Sequence, residues 1–163
     1  MWNFSQYGTH IPVLCRAFIE LRESTGDVLE LGCGDFSTPV LHELCANRKL
    51  LTLDNDALWL ERFSYLYSPQ HIIKEVSSWD NLEEYNLKWD IVFVDQNPPQ
   101  CRNSAISALA DKSKLLIIHD TEEVSSPGYN YDLSMFKFST SYKWHIVETT
   151  VVSNFIDVAG WWK

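Results

Sequence analysis

Glu30 stands two residues ahead of a Gly-x-Gly turn in Glu30-Leu31-Gly32-Cys33-Gly34-Asp35-Phe36-Ser37-Thr38-Pro39, and Asp54, Asp95 and Asp120 each close a short apolar run. A carboxylate at the end of a buried strand can accept hydroxyl hydrogen bonds, take a proton or ligate a hard cation. Two glycines let the backbone bend sharply and let a ligand approach where a Cβ would collide. The helix start that follows offers unpaired N–H groups. A dinucleotide site wants G-x-G-x-x-G, with the pyrophosphate on the helix N-terminus. Here Ser37 stands where the third glycine would be. The charge of Glu30 would repel a pyrophosphate but suits a ligand carrying a positive amino group. His119, beside Asp120, and His10 add imidazoles that titrate near neutrality and could serve as general bases.

These residues need elements to hold them. Ile11, Leu14, Cys15, Phe18 and Leu21 predict one apolar face of a first helix. Residues 28–31 predict a strand, followed by the glycine turn and a helix with Thr38 as N-cap, Pro39 in its first turn, and Val40, Leu41, Leu44 and Cys45 at helical spacing. Residues 50–54 predict a second strand. Asp54 ends it about 20 residues past the glycine turn, the spacing at which an acid meets ribose hydroxyls in βαβ units. Asp56 is placed to cap a helix carrying Leu58, Leu60, Phe63 and Leu66. Residues 71–76, 90–95 and 114–120 predict three further strands, and Ala105, Ile106, Leu109 and Ala110 a helix between the last two. Strands alternating with helices imply an α/β fold, a doubly wound, mostly parallel sheet with helices on both faces. Ligands in such sheets sit outside the carboxyl ends of the strands, where Asp95 and Asp120 stand. Trp79, after the third strand, could lay its face on a base or sit in the core. Tyr129, Tyr131, Met135, Phe136 and Phe138 predict a short helix that either walls a substrate pocket or packs on the sheet. Residues 144–152 and 155–161, parted by Ser153-Asn154, predict a closing antiparallel hairpin.

E-x-G-x-G-x-x-[ST] resembles the first motif of class I S-adenosylmethionine-dependent methyltransferases, and residues 28–161 can be laid on that Rossmann-like core. The resemblance implies S-adenosyl-L-methionine as cofactor, with Glu30, Gly32, Gly34 and Ser37 at its methionine end and Asp54 at its ribose. It implies that Ser78, Trp79 and Asp80 flank the adenine. The pieces Tyr7-Gly8-Thr9-His10, Val94-Asp95-Gln96-Asn97-Pro98-Pro99 and His119-Asp120-Thr121-Glu122 look like a compact subgroup for which no acceptor carries over. In metal-dependent O-methyltransferases, acids in the places of Asp95 and Asp120 hold Mg²⁺, which lowers the pKa of an acceptor hydroxyl. The family's further acid or amide is replaced here by Thr121 and Glu122. Asp95 as an acid contacting cofactor or acceptor without metal is the competing reading. The expected reaction is methyl transfer to a small molecule, on oxygen, with Mg²⁺ assistance as an option and His119 or His10 near the acceptor. The alternatives are an inactive cofactor-binding partner and an N-methyltransferase. Asn97-Pro98-Pro99-Gln100 is similar to the adenine methyltransferase loop but puts Gln100 where an aromatic should stack on a flipped base. An NAD oxidoreductase would tolerate loss of Glu30.

Composition narrows the partners. The 163 residues, 45% of them hydrophobic and seven of them tryptophan, predict one folded domain, with an arm and helix over 1–27 and the core over 28–163. A formal net charge of −9 without a basic run disfavours nucleic acid. Cys15, Cys33, Cys45 and Cys101 show no metal or disulfide spacing and fit reduced thiols. With no signal-peptide pattern and no apolar run of about 18 residues, the expected setting is the cytoplasm, away from the membrane. The aromatic arm, with Trp2, Phe4 and Tyr7, could close its own site or that of a second copy in a homo-oligomer.

Overall fold

In the computed structural model, which describes residues 8–122 and 129–163, strands β1 (Val28–Leu31), β2 (Leu50–Asp54), β3 (His71–Glu75), β4 (Trp89–Val94), β5 (Ser113–His119), β6 (Phe138–Tyr142) and β7 (Thr149–Ser153) form one sheet. Their order is β3-β2-β1-β4-β5-β7-β6. Pairs among β1 to β5 are parallel, whereas β7 runs antiparallel to both β5 and β6. The helices are α1 (Ile11–Glu20), α2 (Ser37–Leu44), α3 (Ala57–Glu61) and α4 (Arg102–Leu109). The expected doubly wound, mostly parallel α/β sheet is therefore what the chain forms.

The central strands are apolar on both faces because both faces are covered. Side chains alternate across the sheet. Val28, Ile91, Phe93, Leu115 and Ile117 join the apolar sides of α1 and α2 on one face. Leu29, Leu31, Val92, Val94, Leu116 and Ile118 join Ala105, Ile106 and Leu109 of α4 on the other. Both layers end at the carboxyl edge of the parallel strands, which carries the glycine turn, Asp54, Asp95 and Asp120.

The antiparallel closure lies earlier than the sequence pattern indicates. Phe138, the last residue of the expected short helix, opens strand β6, and Ser153-Asn154 ends β7 instead of parting two strands. Serines 139 and 141 alternate with Phe138, Thr140 and Tyr142, which is a strand period. Trp144 and Ile146 stay exposed in the β6–β7 loop, while Ile156, Val158, Trp161 and Trp162 fold back on the α1 side of the core. Helix α2 starts two residues early: Phe36 is its N-cap, and Thr38 lies inside the first turn, where its hydroxyl has another task. Leu58, assigned to an apolar face, is exposed, because α3 ends at Glu61 and turns Leu60 and Trp59 inward. The cap at Asp56 is present, its carboxylate accepting the Trp59 N–H at 3.0 Å. All four cysteines are free. No helix among the described residues is long and apolar enough to cross a membrane. The aromatic arm 1–7, including Tyr7, and the Ser125-Ser126-Pro127-Gly128 loop lie outside the described residues.

Candidate active site

The glycine turn is shaped from behind. Gly32 has φ +88°, and a Cβ on it would lie 2.6 Å from the backbone of Asp95 and Gln96, so β1 and β4 can approach only with glycine there. Glu30 is fully buried on the α1/α2 side of β1, and both of its oxygens are occupied. Thr38 donates to Oε1 at 3.0 Å and Thr52 donates to Oε2 at 2.7 Å. The Thr38 hydroxyl in turn accepts the Gly34 N–H at 2.9 Å. Glu30 therefore supports the loop from beneath through Thr38, one layer behind the position that the methionine-end role implies. Burial pushes its carboxyl up to about 7, against the pull of the surrounding Ser37, Thr52 and Thr38 hydroxyls.

Above the turn lies a cavity of about 400 Å³, walled by Gly34, Phe36, Ser37, Trp59, His10 and Asp95. Its floor is the N-terminus of α2, which favours a negatively charged group. His10 is 97% buried within the described structure, with neither ring nitrogen hydrogen-bonded. Burial, and then the neighbouring His119, hold His10 down to about 3. It is thus a neutral hydrogen-bonding group, ill suited to the general-base role expected of it. Its ring packs between Phe93 and His119, with centroids 4.9 and 4.8 Å away.

Asp54 sits behind the same loop. Its carboxylate accepts the Cys33 N–H at 2.8 Å and the Asp56 N–H at 3.0 Å, which fixes the turn. Ser78 and Asp80 form a local turn after β3, the Asp80 N–H donating to the Ser78 hydroxyl. Trp79 is buried in the α4-side core and donates its indole N–H to the Asn97 carbonyl at 2.8 Å. With 3% exposure it has no free face for a base, so the packing alternative is the one realised. The cavity's aromatic walls are instead Phe36 and Trp59, and Trp59 donates to the Cys33 carbonyl at 2.7 Å and is backed by Arg62.

Asp95, His119 and Asp120 come together at the ends of β4 and β5, each offering a ligand atom within 4.8 Å of the others. Asp120 takes the left-handed conformation, φ 57°, which aspartate tolerates at some cost, and its carboxylate bonds the His119 imidazole. The centre of the group is held by a cation of the chain itself. Arg102, buried at the start of α4, donates to Asp95 Oδ1 at 2.9 Å and to Asp120 Oδ2 at 3.0 Å. It also donates to the carbonyls of Asp95, Gln96 and His119 and to the Tyr131 hydroxyl. Arg102 takes one oxygen of each carboxylate, so a Mg²⁺ on Asp95 and Asp120 would share both acids with a buried guanidinium and stand beside its positive charge, which makes the donor set a poor fit for a divalent ion. The expected metal pair is brought together, but around arginine.

The two carboxyls diverge. Burial raises Asp95 to about 6, despite His119 and Arg102 pulling it down. Burial would raise Asp120 too, but the His119 hydrogen bond at 2.8 Å, with the charges of His119 and Arg102, brings it down to about 2. His119 is raised by that same bond to Asp120, though burial works against it. Beyond Asp120 opens a second cavity of about 370 Å³, lined by Tyr129, Tyr131, Ser139 and Thr150 together with the charged Lys143 and Glu148. Asp95 faces the first cavity and Asp120 the second, with Arg102 joining them.

Arg102, Trp59 and Thr52 were not singled out in the sequence. Arg102 carried a signal, because it falls at i−3, i−4 and i−7 from Ala105, Ile106 and Leu109 and so shares their buried face.

No protein-family model and no curated protein sequence matches this chain. Solved structures do match in fold. WbdD, a bifunctional kinase-methyltransferase, aligns with TM-score 0.63 at 14% identity over 89% of this chain, and the chain spans 40% of WbdD. A "putative methylase" from Haemophilus influenzae aligns with TM-score 0.59 at 17% identity, over 91% of this chain and 99% of that one. A "putative O-methyltransferase" from Klebsiella pneumoniae aligns with TM-score 0.59 at 20% identity, over 85% and 78%. The likeness is one of fold, a Rossmann-like sheet closed by an antiparallel hairpin.

Proposed function

We propose that this chain is a class I S-adenosylmethionine-dependent methyltransferase that methylates a hydroxyl of a small, polar acceptor without a divalent cation. The observation that supports the reading is the position of Asp95, a half-buried carboxylate between a cavity on the glycine loop and a polar cavity past Asp120. When bound, the cofactor supplies an electrophilic methyl group on a sulfonium sulfur. The residues in place to hold it are Gly34 and Ser37 at the N-terminus of α2, Trp59 as an aromatic wall, and His10 with its unbonded nitrogens. Asp54 keeps the turn in shape from behind.

Asp95 takes the proton that the acceptor hydroxyl loses. Its carboxyl, near 6, is ionised at neutral pH yet basic enough to hold a proton, which is where a general base works best. Arg102 supplies the positive charge that a metal would bring elsewhere, and with His119 it keeps Asp120 ionised. The polar second cavity favours an acceptor with several hydroxyls, and the chain's charge of −9 disfavours a polyanionic one.

The test is transfer of a radiolabelled methyl group to a panel of polyols, sugars and phenols, in EDTA and in Mg²⁺. Transfer is expected to persist in EDTA and to rise with pH until Asp95 is ionised. Asp95→Asn is expected to lower kcat by about 10²–10⁴ and to flatten that profile, with affinity for S-adenosylhomocysteine little changed. Transfer that EDTA abolishes and Mg²⁺ restores would return the acid pair to a metal and overturn the arginine reading.

A further inference from the structure

A buried row of polar side chains runs from the outer surface of α2 to the glycine loop. His42 Nδ1 lies 2.9 Å from His71 Nδ1, and His71 Nε2 lies 2.9 Å from the Thr52 hydroxyl. Thr52 meets Glu30 Oε2, Glu30 Oε1 meets Thr38, and Thr38 meets the Gly34 N–H in the cavity wall. We propose that His42, His71 and Thr52 are positioning residues whose hydrogen-bond polarity is tied to the charge of Glu30 and, through Thr38, to the hold of the glycine loop on its ligand. The loop's ligand rests on the cofactor reading above; the polarity of the row does not.

Proton counting sets the direction. With Glu30 ionised, Thr52 spends its one proton on Oε2, so His71 must donate to Thr52 from Nε2. Neutral His71 then has a bare Nδ1, and His42 must be the Nδ1–H tautomer. When Glu30 takes a proton on Oε2, every bond reverses. Glu30 donates to Thr52, Thr52 donates to His71 Nε2, and His71 donates from Nδ1 to His42. One proton has entered at the solvent side of His42, no bond is lost, and the row has two complete states. His71 stays neutral throughout, because burial, and then His42, hold it near 4. Glu30 sits where a switch near neutrality requires. The other titratable groups facing Glu30 are Asp95, Cys33 and Cys45, and those sharing a cavity with the histidine pair are Glu43 and Cys45. The Nδ1···Nδ1 separation is that of a hydrogen bond, and no third metal-ligating group closes on this pair among the described residues.

Long-range ¹H–¹⁵N spectra of the full chain read the tautomers directly. His71 is expected as Nε2–H above neutrality and as Nδ1–H below it, with His42 as Nδ1–H in the alkaline state. Glu30→Gln is expected to lock His71 as Nδ1–H at every pH. The Thr38 hydroxyl already accepts Gly34, so the new amide turns its N–H₂ to Thr52. Thr52→Val, which keeps the shape, is expected to abolish the switch. S-adenosylhomocysteine affinity is expected to fall about tenfold from the alkaline to the acid state, the same span as one pK unit, and to be low and pH-independent in Glu30→Gln. A His71 tautomer that does not change with pH, or that still changes in Thr52→Val, would overturn the proposal. If the tautomers switch but S-adenosylhomocysteine never binds, the row stands and the cofactor reading fails.

Discussion

Arg102→Met is expected to cost about 3–5 kcal/mol of stability, the scale for breaking a buried ion pair from one side. The loss comes from what stays behind. Asp95 and Asp120 keep their places, half-buried, in a group that no longer contains a guanidinium, and the carbonyls of Asp95, Gln96 and His119 lose a donor. Methionine has nearly the volume of arginine, so packing contributes little. The penalty depends on pH with a definite sign. Asp120 titrates below its ordinary 3.8, at about 2, so its contribution is complete above the ordinary value and is lost as pH falls toward 2. Arg102 supplies part of that lowering, after His119, so the gap between wild type and variant is widest at neutral pH and narrows in acid without vanishing, because the carbonyls still lack their donor, as denaturant melts across that range can read. Removing the resident cation also leaves Asp95, His119 and Asp120 as a vacant ligand set. Mn²⁺ is expected to raise the melting temperature of the variant and not that of the wild type. A variant as stable as wild type, or a wild type that Mn²⁺ stabilises equally, would contradict the role given to Arg102.

Gly32→Ala is expected to be the most damaging substitution in the loop. The position has φ +88°, which alone costs an L side chain about 1–2 kcal/mol. Its Cβ would also stand 2.6 Å from the Asp95 carbonyl, a rigid strand-end backbone that cannot rotate away. Relief requires β1 and β4 to part at their carboxyl ends, which moves Asp95 and tilts the loop. We expect a loss above about 3 kcal/mol in melts and no measurable S-adenosylhomocysteine binding in whatever fraction folds. Normal affinity in the alanine variant would mean that the turn is not the ligand's cradle.

The parallel core was legible because its signals are local and redundant. Each strand is an apolar run that stops at glycine or an acid, and each helix between has one buried face. The hairpin was misplaced because its exposed loop contains Trp144 and Ile146, which imitate a buried strand, while β6 has the strand period but too few apolar residues to stand out as a strand. At the site, the acids at the strand ends were readable because topology brings every carboxyl edge to one side. What each carboxylate meets there was not. Arg102, Thr52 and Trp59 act through contacts with residues far along the chain, and spacing along one segment says nothing of them. Trp79 was open between a base and the core, and what decides for the core is the packing around it and a bond to Asn97, far along the chain.

The most direct test of the account is calorimetric titration of the chain with S-adenosylhomocysteine and, separately, with NADH, both in EDTA. The account predicts micromolar binding of S-adenosylhomocysteine that weakens in Trp59→Leu, and no heat with NADH. Binding of NADH alone, or of neither ligand, would contradict it and leave the glycine turn as a joint between strand and helix.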